Sequence, residues 1–152
     1  MAVDTAVIGT EFEPVDITVD AARLRFFAKA IGETNPVYTD VEAANAAGYE
    51  DLPVPPTFLF SIELDSPDPF AWLSDLGVDL RFVLHGEQAF TYHSIAYPGD
   101  TLTAKSTIAD VYSKKGGALE FIVKDTAVTR ADGSAVADLK SVLVVRNPGV
   151  GK

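Results

Sequence analysis

The chain has no cysteine among its 152 residues. Disulfides, thiolate metal sites and a cysteine nucleophile are therefore all excluded. Histidine is nearly as scarce, because His85 and His93 are the only two. Two histidines without any cysteine argue against a zinc site. We expect no metal ion and no cofactor.

Basic residues are also few. The 12 lysines and arginines stand against 22 aspartates and glutamates, which gives a net charge of -10. This charge argues against a nucleic-acid partner and against an anionic membrane surface. It favours an acidic carrier protein only if the basic side chains gather into a local face; the candidates are Arg23, Arg25, Lys29, Arg81, Lys105, Lys114 and Lys115.

Long apolar runs are missing too. No stretch approaches the ~18 consecutive apolar residues of a membrane span. The first ten residues lack the basic segment and apolar run of a signal peptide. The sequence therefore predicts a cytoplasmic protein. Residues 1–152 are expected to form one domain, which is long enough to bury a core without cross-links.

The first half of the chain has the periodicity of helices. Residues 19–31 place apolar side chains at i, i+3, i+4 and i+7, which predicts an amphipathic helix capped by Thr18 and ended by Gly32. Thr39 and Glu42 fit a capping box for a second, alanine-rich helix that ends at Gly48.

A proline-rich loop then leads into the most apolar segment of the chain. Residues 57–64 predict a helix that is apolar nearly all round, with Pro56 in its first turn, and such a helix belongs inside the protein. A further short helix is predicted from Pro69, and Gly77 ends it.

From residue 79 onward the pattern changes to period two. Strands are predicted at residues 80–97, 101–114, 118–130 and 135–146, after a short strand within residues 11–18. Strands joined by tight turns form an antiparallel sheet, and its apolar face needs a cover. The 57–64 helix is the natural cover, so we predict the α+β class and the hot-dog fold, a long curved antiparallel sheet wrapped around a central apolar helix.

Residues 32–38, Gly-Glu-Thr-Asn-Pro-Val-Tyr, are the strongest candidates for chemistry. Gly32 suits the positive φ that ends a helix, and Pro36 holds Asn35 in an extended conformation. Glu33 and Tyr38 then stand on a stiff bend, where they are placed to perform acid/base chemistry or to orient a polar group. A helix cap followed by a proline turn explains the same residues without a function.

This segment resembles the signature Gly-Asp-x-Asn-Pro-[Leu/Ile/Val]-His of the MaoC-like (R)-specific enoyl hydratases and 3-hydroxyacyl dehydratases. In that family the Asp and the His are the catalytic pair. Here the Asp position holds Glu33 and the His position holds Tyr38. Three further segments are similar to the FAS1-type dehydratase N-terminal branch of this family: residues 54–58, 84–90 and 98–102.

The resemblance implies a function that is shared between two subunits. The branch includes N-terminal halves of double hot-dog enzymes and substrate-binding subunits of heterodimeric (3R)-hydroxyacyl-carrier-protein dehydratases of fatty-acid metabolism, in which a partner hot dog supplies the catalytic Asp and His. The expected ligand is an acyl-CoA or acyl-carrier-protein thioester. The expected assembly is a homodimer when the chain is alone and a heterodimer with its catalytic partner, with residues 85–90 near the shared seam.

The replacements at the signature weaken the chemistry. Dehydration needs a base with a pKa near the working pH, and Tyr38, with a reference pKa of about 10, is a poor one. Glu33 moves the carboxylate by one methylene, and an angstrom-scale misplacement costs ~100-fold. Pro56 aligns with the glycine whose N–H binds the thioester carbonyl in the family, and proline has no N–H. We expect a pocket that retains its shape while a partner performs the reaction.

Two alternatives remain open. One is a non-catalytic homodimeric binding module for acyl-CoA or acyl-carrier protein, and the other is a homodimeric hydratase that uses Glu33 or His85. His85 is favoured over His93 because Gly86 admits a close backbone or ligand, although a hydrogen-bonded histidine at the dimer seam is the simpler explanation of His85. The two histidines should share one strand face, roughly 26 Å apart, if no bulge intervenes. The predicted substrate-binding residues are Asn35, Pro56, Thr57, Phe58, Gly86 and Gln88.

Overall fold

The structure is a computed structural model that describes residues 3–150. Within these residues, five strands form one antiparallel sheet in the order β1-β3-β4-β5-β2. The strands are β1 (Val15–Thr18), β2 (Val83–Tyr92), β3 (Thr101–Lys114), β4 (Leu119–Arg130) and β5 (Ala135–Arg146). The long strands β3, β4 and β5 are neighbours, and β1 and β2 form the two edges.

The helices lie mostly before the long strands. They are α1 (Ala21–Ala30), α2 (Val41–Ala46), α3 (Ala71–Asp75) and a ten-residue 3-10 helix, Pro56–Asp65, which we call the central helix. Short 3-10 turns occur at Thr5–Val7, Pro36–Tyr38, Leu80–Phe82 and Lys115–Gly117. Within the described residues, no helix is long and apolar enough to cross a membrane.

The predicted strands agree with the structure except at the first long one. The strand expected over residues 80–97 is shorter, because Asp79 caps a 3-10 turn before it by accepting the N–H of Arg81. At its other end, the N–H groups of His93 and Ser94 both donate to the carbonyl of Val136, which ends the regular ladder. The strand is therefore β2, Val83–Tyr92.

Aspartates, and not threonines, cap the first two α-helices. Asp20 accepts the N–H of Arg23 at the start of α1, whereas the predicted cap, Thr18, ends β1. Asp40 accepts the N–H groups of Glu42 and Ala43, so the predicted capping box at Thr39 is wrong. An aspartate two positions after Thr18 and one position after Thr39 caps each helix with a charged acceptor.

The central helix covers the inner face of the sheet with one side only. Phe58, Leu59 and Ile62 are buried, whereas Thr57 and Leu64 are exposed. A 3-10 helix aligns side chains at i and i+3 and rises about 2.0 Å per residue, so it is thinner and longer than an α-helix of the same sequence. The prediction that this helix lies wholly inside is wrong for its outer side.

Polar side chains divide the inner face of the sheet into two apolar regions. One core cluster includes Leu24 and Val128, and the other includes Leu73 and Ile122. Between them runs a row that we call the polar belt: Gln88 on β2, Ser141 on β5, Lys124 and Thr126 on β4, and Ser106 on β3. Cross-strand partners share a sheet face, so the pairs Gln88–Ser141, Lys124–Ser141 and Ser106–Thr126 make the belt continuous.

Candidate functional site

The bend after α1 is held by its own side chains. Gly32 has a φ of 73°, which ends the helix as predicted. The Glu33 carboxylate accepts the N–H of Asn35 at 2.8 Å, and the Asn35 side-chain oxygen accepts the N–H of Val37 at 3.2 Å. Asn35 is exposed on this bend. Glu33 therefore has a structural task at the position where the family signature has its Asp.

Tyr38 points into a cavity of 310 Å³, which we call the tyrosine cavity. Its lining includes Tyr38, Tyr49, Pro56, Tyr92, His93 and Ile95, and Glu33 is not part of it. Burial raises the pKa of Tyr38, and the neighbouring Tyr49 and Glu33 raise it further. Burial and Tyr38 likewise raise the pKa of Tyr92. The raised pKa values of Tyr38 and Tyr92 mean that these two phenols are held more firmly in their neutral form than free tyrosine.

His93, and not His85, is the histidine beside Tyr38. His93 lines the tyrosine cavity, and its Nε2 lies 2.7 Å from Oδ2 of Asp138. The sequence favoured His85 because of the glycine next to it. The position of His93 follows from the end of β2 at Tyr92, which turns the chain toward the start of the central helix.

A second cavity of 340 Å³, which we call the apolar cavity, lies at the other end of the central helix. Its apolar lining includes Phe60, Leu64, Phe70, Trp72, Val83 and Leu143. Its polar lining is His85, Glu63, Lys124 and Ser141. His85 places its Nε2 3.1 Å from the carbonyl oxygen of Glu87, and its ring centroid is 5.2 Å from that of Phe60.

Gly86 sits at a bulge in β2. A Cβ at this position would lie 2.7 Å from Cγ2 of Val144 and 3.1 Å from the carbonyl oxygen of Val142, so the close neighbour that requires glycine is strand β5. The pairing register shifts between His85 and Glu87. The condition for placing both histidines on one strand face, a strand without a bulge, is therefore not met.

The other predicted binding residues lie in different environments. Gln88 belongs to the polar belt, where its Oε1 accepts the hydroxyl of Ser141 at 2.6 Å. Phe58 is 1% exposed and packs edge-on against Phe27 with ring centroids 5.4 Å apart, so it is a core residue. Thr57 is exposed. Of the predicted set, Pro56 and Tyr38 share one cavity, and His85 lines the other.

Sequence reasoning missed an ion pair on the inner face of the sheet. Lys124 Nζ donates to both carboxylate oxygens of Glu63 at 2.9 Å, and their side chains are only 12% and 18% exposed. The signal was present in the sequence. Lys124 occupies an inward position of β4 between Ile122 and Val128, and Glu63 interrupts the most apolar helix.

The basic residues that were candidates for a local face are dispersed. Arg23 pairs with Asp65, Arg81 with Asp79, and Lys105 with Glu11, each on a different element. Lys114 lies over the stacked rings of Tyr112 and Phe121 near the β3–β4 turn. In the part of the chain that the structure describes, no three potential metal ligands cluster.

The chain is similar in sequence to known proteins. The model of the family described as "FAS1-like, dehydratase domain region" matches residues 6–139. The chain belongs to this family. The predicted resemblance to FAS1-type, MaoC-like dehydratases is thereby confirmed. A relative, a UPF0336 protein of Streptomyces avermitilis, is 42% identical over 117 residues. The matched residues cover 76% of this chain and 78% of the relative.

Solved structures establish the fold of this FAS1-like dehydratase-region chain. The HadBC (3R-hydroxyacyl-ACP dehydratase) complex of Mycobacterium tuberculosis contains a chain that matches with a TM-score of 0.76 at 24% identity, over 94% of this chain and 99% of that one. A MaoC-like dehydratase matches with a TM-score of 0.80 at 22% identity, over 94% of this chain but only 43% of that one. The predicted hot-dog fold is confirmed.

Proposed function

We propose that this chain is the acyl-thioester-binding subunit of a (3R)-3-hydroxyacyl-CoA or acyl-carrier-protein dehydratase, or enoyl hydratase, of fatty-acid metabolism. In this proposal a second hot-dog subunit supplies the catalytic Asp and His. The observation that carries the proposal is Tyr38, because a phenol with a raised pKa stands where the family signature has its catalytic histidine.

The chemistry of the tyrosine cavity supports this division of labour. A general base works best with a pKa near the working pH, and the shift at Tyr38 moves its pKa away from neutrality. Glu33 is engaged with the backbone of the bend. Pro56, which lines the same cavity, has no N–H to donate to a thioester carbonyl. Base, acid and oxyanion donor are all weakened together.

The apolar cavity supports the binding role. Ligand cavities typically measure about 300–1,000 Å³ and have mostly apolar walls with a few polar groups. The apolar cavity, at 340 Å³, fits this description. Leu64, Phe70 and Leu80 on its lining are 44–46% exposed, so its opening is apolar as well. An acyl chain would therefore enter between apolar side chains.

The edge strand β2 supports the second subunit. One side of β2 pairs with β5, and the other side is free along residues 83–92. Leu84 and Tyr92 on this strand are about half exposed, at 50% and 49%. Natural proteins cover long free edges, because an unpaired ladder with apolar side chains invites association. The HadBC structure is described as a complex, and the MaoC-like dehydratase chain is more than twice the length that matches here.

The proposal is tested by activity and by composition. The purified chain alone should hydrate crotonyl-CoA far more slowly than an ordinary enzyme, whose turnover is ~10 per second. Mass spectrometry of the natively purified protein should find a second hot-dog chain that carries the intact Gly-Asp-x-Asn-Pro-x-His signature. Ordinary turnover by the chain alone would contradict the proposal, and a native preparation that binds acyl-CoA but contains no second hot-dog chain would favour the non-catalytic module.

A further inference from the structure

A third cavity lies behind the apolar cavity. It measures 210 Å³, and its far side is formed by Phe12, Glu13 and Val15 near the start of β1. Four residues line both this rear cavity and the apolar cavity: Glu63, Pro69, Trp72 and Lys124. These four residues lie between the two cavities, and we call them the wall.

The wall is held in place by the polar belt. Lys124 Nζ bonds both oxygens of Glu63 at 2.9 Å. Ser106 donates its hydroxyl to the Glu63 carboxylate and lies 2.7 Å from the Thr126 hydroxyl. Lys124 Nζ also stands 5.6 Å from the centre of the Trp72 ring. The polar atoms of the ion pair therefore have partners, and its geometry is specified by contacts from two strands, β3 and β4, to the central helix.

Stability alone does not explain an ion pair at this place. A buried ion pair is often replaced by apolar side chains of similar volume without loss of stability, whereas loss of one partner is strongly unfavourable. An acyl chain that advanced through the wall would have to separate the two charges in apolar surroundings. Each methylene gained in return improves affinity by only about fourfold. The pair therefore opposes further entry of a chain that fills the apolar cavity.

We propose that the Glu63–Lys124 pair, together with Trp72, is the end wall of the acyl site and sets the longest acyl group that this chain accepts. This inference rests on the proposed function and adds a specificity determinant to it. The substrates are thioesters whose acyl groups end at the wall, and the rear cavity remains outside the site.

The test uses the full chain in its native assembly and a series of saturated thioesters: butanoyl-, octanoyl-, dodecanoyl- and hexadecanoyl-CoA. Calorimetry should show affinity that rises by about fourfold for each added methylene and then stops rising within the series. Affinity that continues to rise through hexadecanoyl-CoA would overturn the end wall.

Two paired variants then separate volume from charge. Glu63→Ala/Lys124→Ala should join the two cavities and move the plateau to a longer chain. The first thioester beyond the wild-type plateau should bind at least about tenfold more tightly, because two more buried methylenes supply that gain. Glu63→Met/Lys124→Met keeps most of the volume and removes the charge. An acyl chain then displaces these side chains without separating charges, so the plateau should also move to a longer chain, but less far than in the alanine pair. An unchanged plateau in the alanine pair would overturn the inference.

A matched control lies on the opposite face of β4. Asp125 on β4, next to Lys124 in sequence, forms an exposed pair at 3.9 Å with Lys140 on β5. Asp125→Ala/Lys140→Ala should leave both affinity and plateau unchanged. A plateau shift in this control would show that the length limit does not depend on the wall.

A fluorescence measurement leaves the ion pair intact and needs only one conservative variant. Trp72 is the only tryptophan of this chain, and it stands in the wall. Acyl-CoA with bromine on the last carbon should quench the Trp72 signal, taken as the difference from Trp72→Phe, most strongly at the plateau length. Equal quenching at every acyl length would contradict the proposal that the acyl site ends at this wall. No binding of any thioester would refute the proposed function itself, which is a different result from binding without a length limit.

Discussion

The cavities at the two ends of the central helix differ in the features that they retain. Near its first turn, the bend that carries Tyr38 into the tyrosine cavity keeps the backbone frame of Gly32 and Pro36. Of the two reactive positions, Glu33 is bonded to the backbone, and the raised pKa of Tyr38 favours its neutral phenol. Beside its last turn, the apolar cavity keeps open volume and a buried ion pair. The comparison teaches that the backbone frame of this bend can persist because the turn requires it, while the proposed ligand site lies at the other end of the same helix.

Filling each cavity in turn gives the largest contrast between the two. Leu143→Trp should fill the apolar cavity and weaken octanoyl-CoA binding by about 1,000-fold, if roughly five methylenes at about 0.8 kcal/mol each lose their contacts. Ile95→Trp, in the tyrosine cavity, should leave binding within about threefold, because surface changes away from the ligand cost little. Calorimetry measures both. Equal losses would show that the acyl group spans both cavities.

Restoring the reactive groups tests the tyrosine cavity by itself. Tyr38→His alone should not restore crotonyl-CoA hydration, because Glu33 remains bonded to the Asn35 N–H and Pro56 lacks a donor. Adding Glu33→Asp should raise the rate by about tenfold over either single change, since it corrects the placement of the carboxylate. Steady-state kinetics on the purified variants decides the matter. Equal rates for the single and paired variants would mean that carboxylate placement has little weight.

The smallest expected effect concerns alkaline pH. The folded-state pKa values of Tyr38 and Tyr92 are raised, so the stability that these phenols contribute is fully present below the unfolded value of about 10 and is lost as pH rises through the folded values. The free energy of unfolding, measured with urea, should therefore fall less steeply above pH ~10 in Tyr38→Phe/Tyr92→Phe than in the wild type. Tyr112→Phe, far from the cavity near the β3–β4 turn, serves as the control. An identical decline in all three proteins would contradict the shift.

Local signals in the sequence were sufficient for much of the fold. Turn residues and alternation predicted the bounds of β3 and β5, and glycine at the end of α1 predicted its positive φ. The 3-10 geometry of the central helix and the bulge at Gly86 were not predicted, because each depends on contacts with distant strands. Periodicity describes one segment at a time, whereas these features arise from packing between segments.

The candidate site was harder to predict for the same reason. Residues 32–38 identified the bend, but the proximity of His93 to Tyr38 depends on where β2 ends. Glu63 and Lys124 are 61 positions apart, and only the fold brings them together. A charged residue at an inward strand position was the readable sign, and pairing it with its opposite charge on the apolar helix required the tertiary structure.

The free side of β2 has a consequence for amide hydrogen exchange. Alternate backbone N–H groups of β2 face away from β5, so in an isolated chain they exchange with solvent quickly, whereas the amides of β4, which is flanked by β3 and β5, exchange slowly. A second chain that pairs with this edge would slow half of the β2 amides and leave β4 nearly unchanged. The alternation of protection along residues 83–92 therefore reports assembly residue by residue, without requiring the partner to be identified first.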